Sequence, residues 1–254
     1  MLKSEEKIRK KIERYQGLRE YTFESLEEGR VPEENIPKVY LSAGSKGQKI
    51  GLYKLALGSC VEAVPDFQMS AEWYYKGARE TRQRRESLSD DFEGGMRLLK
   101  YLYSAILSGD DALLEQATEI AFETHESHYH QFSTVHRYHL MNALAATVQE
   151  TGDQQHHLDE LEATLDDLPD DHPQYFGALW QALTGVVDRD EQAFEDGIAQ
   201  FLEWHDDNVD FENKTSADDL VCLPVLTLVV LARRDGMDVS VDSPYVPDCV
   251  DDLV

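Results

Sequence analysis

The chain has 254 residues, 41% of them hydrophobic, and sets 50 Asp and Glu against 24 Lys and Arg for a formal net charge of −26. That length supports one large or two small domains with a sizeable core. The charge is uneven: residues 1–100 carry 19 basic and 17 acidic side chains, whereas residues 101–254 carry 5 and 33. Phosphate would be repelled by the second part, which argues against nucleic acid as a partner.

Two readings of the acidity stand side by side. An acidic surface keeps a protein hydrated in a salt-adapted cytoplasm, and an acidic face steers a basic protein toward it. The three cysteines, Cys60, Cys222 and Cys249, are odd in number and far apart, and none forms a CxxC pair. No disulfide framework and no zinc site is expected from them. The N-terminus is charged and lacks an apolar signal region, and the longest apolar run, 223–232, is too short to span a bilayer. The expectation is a soluble, cytoplasmic chain with no membrane contact.

In chain order, residues 4–28 read as a helix with Ser4 as N-cap and Ile8, Ile12, Tyr15, Leu18 and Leu26 on one stripe. Its dense mixed charges suit a solvated face with i,i+4 pairs. Gly29, Pro32 and Pro37 then predict a long connection over 29–48, within which Gly44-Ser45-Lys46-Gly47 reads as a surface turn. A helix follows over 50–64, ended by Pro65. Residues 67–86 form an aromatic-rich helix, with Trp73, Tyr74 and Tyr75 read as core, that finishes in the basic run Arg79, Arg82, Arg84 and Arg85.

From residue 92 the pattern repeats. Apolar helices over 92–107, 136–150 and 175–187 each lead through a turn into a shorter amphipathic helix, over 112–124, 158–168 and 191–204. The turns fall at Gly109, Gly152 and Asp188, and Gly236 closes a fourth apolar helix. This is the pattern of stacked αα-hairpins. The predicted fold is all-α: stacked antiparallel helix pairs in a helical-repeat-like bundle with a short irregular C-terminal tail. Residues 1–254 are read as one domain, with mixed-charge N-terminal helices over 1–90 and an acidic hairpin stack over 91–254. Strand signal is confined to Val239–Val241, too short for a sheet.

The last helix is predicted to begin at Leu223, with Pro224 in its first turn and Gly236 as its C-cap. Arg233 and Arg234 sit at its negative end. The tail through Pro247 is expected to fold back over the bundle.

Five histidines, His125, His128, His130, His136 and His139, fall within fifteen residues. The pairs His125/His128 and His136/His139 each share a helical face that imidazole–metal chemistry requires, but residues 127–133 read as a turn between them. Structural or surface roles are favoured over a metal site. The Asp-rich turns supply the candidate partner-binding residues: Asp166, Asp167, Asp170, Asp171, Asp206, Asp207 and Asp210. They lack the alternation, central Gly and terminal Glu of a calcium loop and also serve as caps and solvated linkers. No GxSxG occurs and no Cys/His pair has a recognisable context. No catalytic residue, metal ligand or cofactor is assigned, and the chain is read as a non-enzyme.

Residues 218–247 resemble the C-terminal part of the Imm49 family of immunity proteins, found in polymorphic-toxin systems. The resemblance lies in the proline-containing apolar helix Leu223-Pro224-Val225-Leu226-Thr227-Leu228, its end Ala232-Arg233-Arg234-Asp235-Gly236, and the tail Val239-Ser240-Val241 leading to Ser243-Pro244-Tyr245-Val246-Pro247. It implies a cytoplasmic, all-α, non-enzymatic protein that binds and neutralises a cognate toxin, and it implies no catalytic residues. A helical-repeat scaffold for peptides or assembly partners is the alternative. A metal-dependent hydrolase built on the His125–His139 region is the third reading.

Overall fold

Glycine, which the sequence pattern puts in a turn, is what lets the first long helices cross closely. The computed structural model describes residues 2–84, 96–130, 134–169, 172–209 and 216–254, apart from the side chains of residues 2–4 and His128. Helix α1 spans Leu2–Glu27, and α2, Ile36–Leu55, runs through most of the stretch expected as a connection. Gly44, Gly47 and Gly51 lie on the α2 face that meets α3, Cys60–Gln83. A Cβ at these positions would lie 3.0 Å from the Tyr74 ring, 3.1 Å from the Asp66 carbonyl and 2.9 Å from the Phe67 ring. Each glycine costs a helix about 1 kcal/mol relative to alanine. Burying Phe67 and Tyr74, at 0% and 2% exposure, offsets that cost. Residues 44–47 are therefore helix, not turn.

Pro65 likewise ends nothing. It sits inside α3, and the break comes earlier, where Gly58 adopts φ 73° between α2 and α3. One residue on, Asp66 is 4% exposed and takes ion pairs from Arg19 at 2.6 Å and Lys54 at 2.5 Å, tying α1 and α2 to α3. Arg85, Glu86 and the predicted helical residues 92–95 lie outside the described residues.

The repeated pairs are present. They are α4 (Arg97–Ser108) with α5 (Asp111–Phe122), α7 (Val135–Gln149) with α8 (Gln154–Leu165), and α9 (His172–Asp188) with α10 (Glu191–Asn208). A short α6, Glu126–His130, occupies part of the turn expected over 127–133. Positive φ marks the turns, at Gly109 (67°), Glu150 (50°), Arg189 (55°) and Gly236 (82°). The middle two are non-glycine residues, so a glycine search finds Gly152 (88°) but misses the pivots beside α7 and α9. Asp110 and Asp190 cap the following helices, accepting from Leu113 N at 3.1 Å and Ala193 N at 3.0 Å. The architecture is all-α, and no strand is present among the described residues.

A short α11, Ala217–Leu220, precedes α12, Leu223–Arg234, which begins where the sequence predicts. Val225, Leu226, Val229, Val230 and Ala232 are fully buried. Gly236 N donates to Arg233 O and Met237 N to Ala232 O, both at 3.0 Å, which is the two-bond glycine cap. The two arginines do more than meet a dipole. Arg234 donates to Ile106 O and Leu253 O, each at 2.8 Å, bridging the end of α4 to the C-terminus.

The tail does fold back. Cys222 N donates to Tyr245 O at 3.0 Å, and a 3-10 turn at Val250–Leu253 packs on α3 and α12. Cys60 and Cys249 are joined by a disulfide, contrary to the sequence expectation. Their separation of 189 residues says nothing about distance in a fold that returns its C-terminus to the start of α3, where the Cα atoms lie 5.9 Å apart. Cys222 is a free, buried thiol, pushed up to about 12 by burial. Because the bond closes so long a loop, Cys249→Ser is expected to cost about 2–5 kcal/mol, lowering Tm by roughly 5–15 °C in calorimetry. An unchanged Tm after substitution and after reduction would show that the crosslink constrains nothing.

Candidate functional site

The order of helices decides where the charges meet. Helix α9 packs against both α8 and α10. It runs antiparallel to both: Gly177 lies by Leu165 and Trp180 by Leu158 on α8, while Tyr175 meets Trp204 and Gly185 lies by Phe194 on α10. The ends of α8 and α10 therefore lie at the end of this layer where α9 begins. Asp166 and Asp167 follow α8, and Asp206 and Asp207 close the last turn of α10, so two stretches forty residues apart in sequence share one end of the layer. Asp170, Asp171 and Asp210 lie outside the described residues.

The layer is held by its aromatic residues. Tyr175, at the start of α9, meets Phe201 at 4.9 Å and Trp204 at 4.8 Å between ring centroids. Trp180 donates its indole N–H to Leu158 O on α8 at 3.1 Å. Those contacts hold the exposed carboxylates on a fixed frame. Asp166, Asp167, Asp206 and Asp207 are all exposed, and among the described residues none makes an ion pair. Asp159, Glu160 and Glu162 on α8 and Asp196 and Glu203 on α10 extend the acidity along the outer surface. Tyr245 donates its hydroxyl to Asp206, so the tail fixes one of the four carboxylates.

Among the described side chains, which leave out His128, the histidines do not gather into a ligand set. His136 is 3% exposed and packs edge-on against Phe176 at 4.4 Å, toward α9. His139 points instead at α8, with its Nδ1 3.2 Å from Nδ1 of His157. Burial, reinforced by the nearby cationic Arg137 and by His172, pushes His136 down to about 4. Burial also pushes His157 down to about 4, with His139 and His156 adding to the effect. Both shifts favour the neutral imidazole, in the buried His136 and the half-buried His157. His130 bonds Glu126 at 2.8 Å on the surface. Among the described residues no three His, Cys, Asp or Glu side chains come together as a metal site.

A family model described as Immunity protein 49, Imm49, matches residues 60–249. The chain belongs to the Imm49 family. The matched region of this Imm49 protein begins at the first residue of α3 and contains the whole acidic layer and α12. Its limits are the two bonded cysteines. No curated protein and no solved structure matches the chain. Among the described residues no helix is long and apolar enough to cross a membrane.

One surface escaped the sequence reading. Lys38, Lys46 and Lys49 of α2 face Arg97 and Lys100 of α4 across a cleft of about 630 Å³. A pattern at positions 38, 42, 45, 46 and 49 is a single helical face, and it disappears once those residues are assigned to a loop.

Proposed function

We propose that this Imm49 protein neutralises a cognate toxin by binding it, with the acidic end of the α8–α10 layer as the contact surface. The exposed Asp166, Asp167, Asp206 and Asp207, at one end of a rigid layer and without cationic partners among the described residues, carry the proposal. An uncompensated negative patch attracts a basic surface over about 10 Å at 0.1 M salt and raises the association rate. Many toxins that act on phosphate-bearing substrates need such a basic surface, and a bound carboxylate array would compete with the substrate for it. The mode of action is occlusion, without catalysis. Inhibition of a toxin inside its producer would take place in the cytoplasm. The Cys60–Cys249 bond favours an oxidising setting instead, and alkylation of free thiols in intact cells reads which holds.

The test is charge reversal at each site, Asp166→Lys with Asp167→Lys, and Asp206→Lys with Asp207→Lys. These variants are to be measured against the toxic domain of any polymorphic toxin encoded beside the gene. The association rate is expected to fall roughly tenfold to a hundredfold at low salt, with a shallower salt dependence and weaker protection in co-expression. Unchanged rate and protection in both variants would remove this surface. Failure of the wild-type chain to protect would remove the toxin partner.

A further inference from the structure

The cleft between α1, α2 and α4 is an electrostatic anomaly in a chain of net charge −26. Five cationic side chains line it: Lys38, Lys46, Lys49, Arg97 and Lys100. The chain holds 50 carboxylates, yet among the described residues none pairs with any of these five. The other cations around them are spoken for. Arg19 and Lys54 hold Asp66, and Arg79 and Arg82 hold Glu119 and Glu123.

Two of the five meet neutral neighbours. Lys46 is half-buried, and its Nζ meets only hydroxyls, Ser42 at 2.9 Å and Thr22 at 3.4 Å. Burial pushes its ammonium below the usual lysine range. Lys49 lies over the Tyr15 ring, 5.6 Å from its centroid. A multiply charged anion in the cleft would meet several cations that no described carboxylate neutralises.

We infer that this cleft binds a small polyphosphate-bearing anion, with the lysines and Arg97 on the phosphate oxygens and Ser42 and Ser45 as hydroxyl donors. The lining suits a phosphate-bearing ligand. Four of the five cations are lysines, which meet phosphate oxygens as compact point charges, and Arg97 adds a fork that also fits phosphate. The volume lies within the range of small-molecule sites, roughly 300–1,000 Å³. Leu41, Tyr74 and Met96 also line the cleft and offer apolar surface beside the charges, as a nucleoside would need. Three of the cations precede residue 60, where the family match begins, so the site draws on chain outside it. The inference is independent of the toxin-binding surface, which lies on α8 and α10.

Titration calorimetry with tripolyphosphate, ATP and AMP on the full chain tests it. Saturable one-to-one binding of tripolyphosphate and ATP is expected, with AMP weaker and affinity falling as salt rises. Lys38→Gln with Lys49→Gln should weaken both by roughly tenfold or more, with circular dichroism and Tm unchanged. Lys100→Gln gives a second reading, should the double variant lose its fold. ATP binding more tightly than tripolyphosphate assigns the apolar wall to a base, and equal affinities assign the site to the phosphate chain alone. No saturable binding up to millimolar ligand overturns the inference. So does affinity that survives the substitutions, or capture of a poly-Glu peptide or an oligonucleotide but of neither phosphate ligand.

Discussion

Leu226→Asp is expected to abolish cooperative folding. Leu226 lies in the middle of α12 at 0% exposure, inside a core that draws on every other long helix of the stack. A carboxylate there has no cation within the apolar run and must either ionise unpaired or hold a proton. Either state costs more than about 4 kcal/mol, a large fraction of a typical domain's stability. The measurement is urea unfolding followed by near-ultraviolet circular dichroism. The variant should lose its sharp transition. Val61→Asp, at a residue 68% exposed in the first turn of α3, is the matched control and should leave the midpoint nearly unchanged. A Leu226→Asp variant that unfolds like wild type would refute the buried position of α12.

The second expectation concerns the α9–α10 crossing. Gly197 on α10 meets Ala182 on α9 so closely that an added Cβ would lie 2.5 Å from Ala182 N and 2.9 Å from Ala178 O. Gly185 makes the reciprocal approach, with a Cβ 2.7 Å from Phe194 Cα. Backbone atoms cannot rotate away as side-chain tips do. Gly197→Ala must therefore push the helices apart, at a cost of about 3 kcal/mol and roughly 6–12 °C in Tm. Gly177→Ala in α9 is the internal comparison. Its nearest neighbour would be Leu165 Cδ1 at 3.8 Å, so relief of glycine's helix penalty should make it neutral or stabilising by up to about 1 kcal/mol. If both substitutions behave alike, close packing does not explain Gly197. On the acidic contact surface proposed above, Gly197→Ala should also weaken toxin binding, because it moves α10 relative to α9.

The legible part of the sequence was the part governed by periodicity. Spacing puts Leu158, Leu161, Leu165 and Leu168 on one stripe and Phe194, Ile198, Phe201 and Leu202 on another. Leu158, Leu161, Phe194, Ile198 and Phe201 are buried, and Leu165, Leu168 and Leu202 are half-buried against the core. Leu223 starts α12 with Pro224 in its first turn, where the missing N–H costs no helix hydrogen bond. Errors arose where one residue type serves two physical purposes. Gly44 and Gly47 read as turn signals, although a glycine inside a helix also admits a neighbouring backbone or ring. Losing α2's first half to a loop concealed the cationic face of the cleft. Glu150 and Arg189 adopt left-handed conformations at their turns, which no composition rule flags in residues of this kind. The pairing of Cys60 with Cys249 needed the path of the tail, which depends on Arg234, Tyr245 and the buried α12 together. As for the acidic surface, the sequence located the aspartates, but only the antiparallel order of α8, α9 and α10 shows which of them share an end.

The Cys60–Cys249 bond also turns most of the polypeptide into a ring. A single cut by a protease anywhere between those residues opens the ring without releasing a fragment. The Imm49 region would migrate as one species on a denaturing gel until reductant was added. A chain built this way survives a first nick as one molecule. Only a second cut, or reduction, lets any of the acidic layer leave.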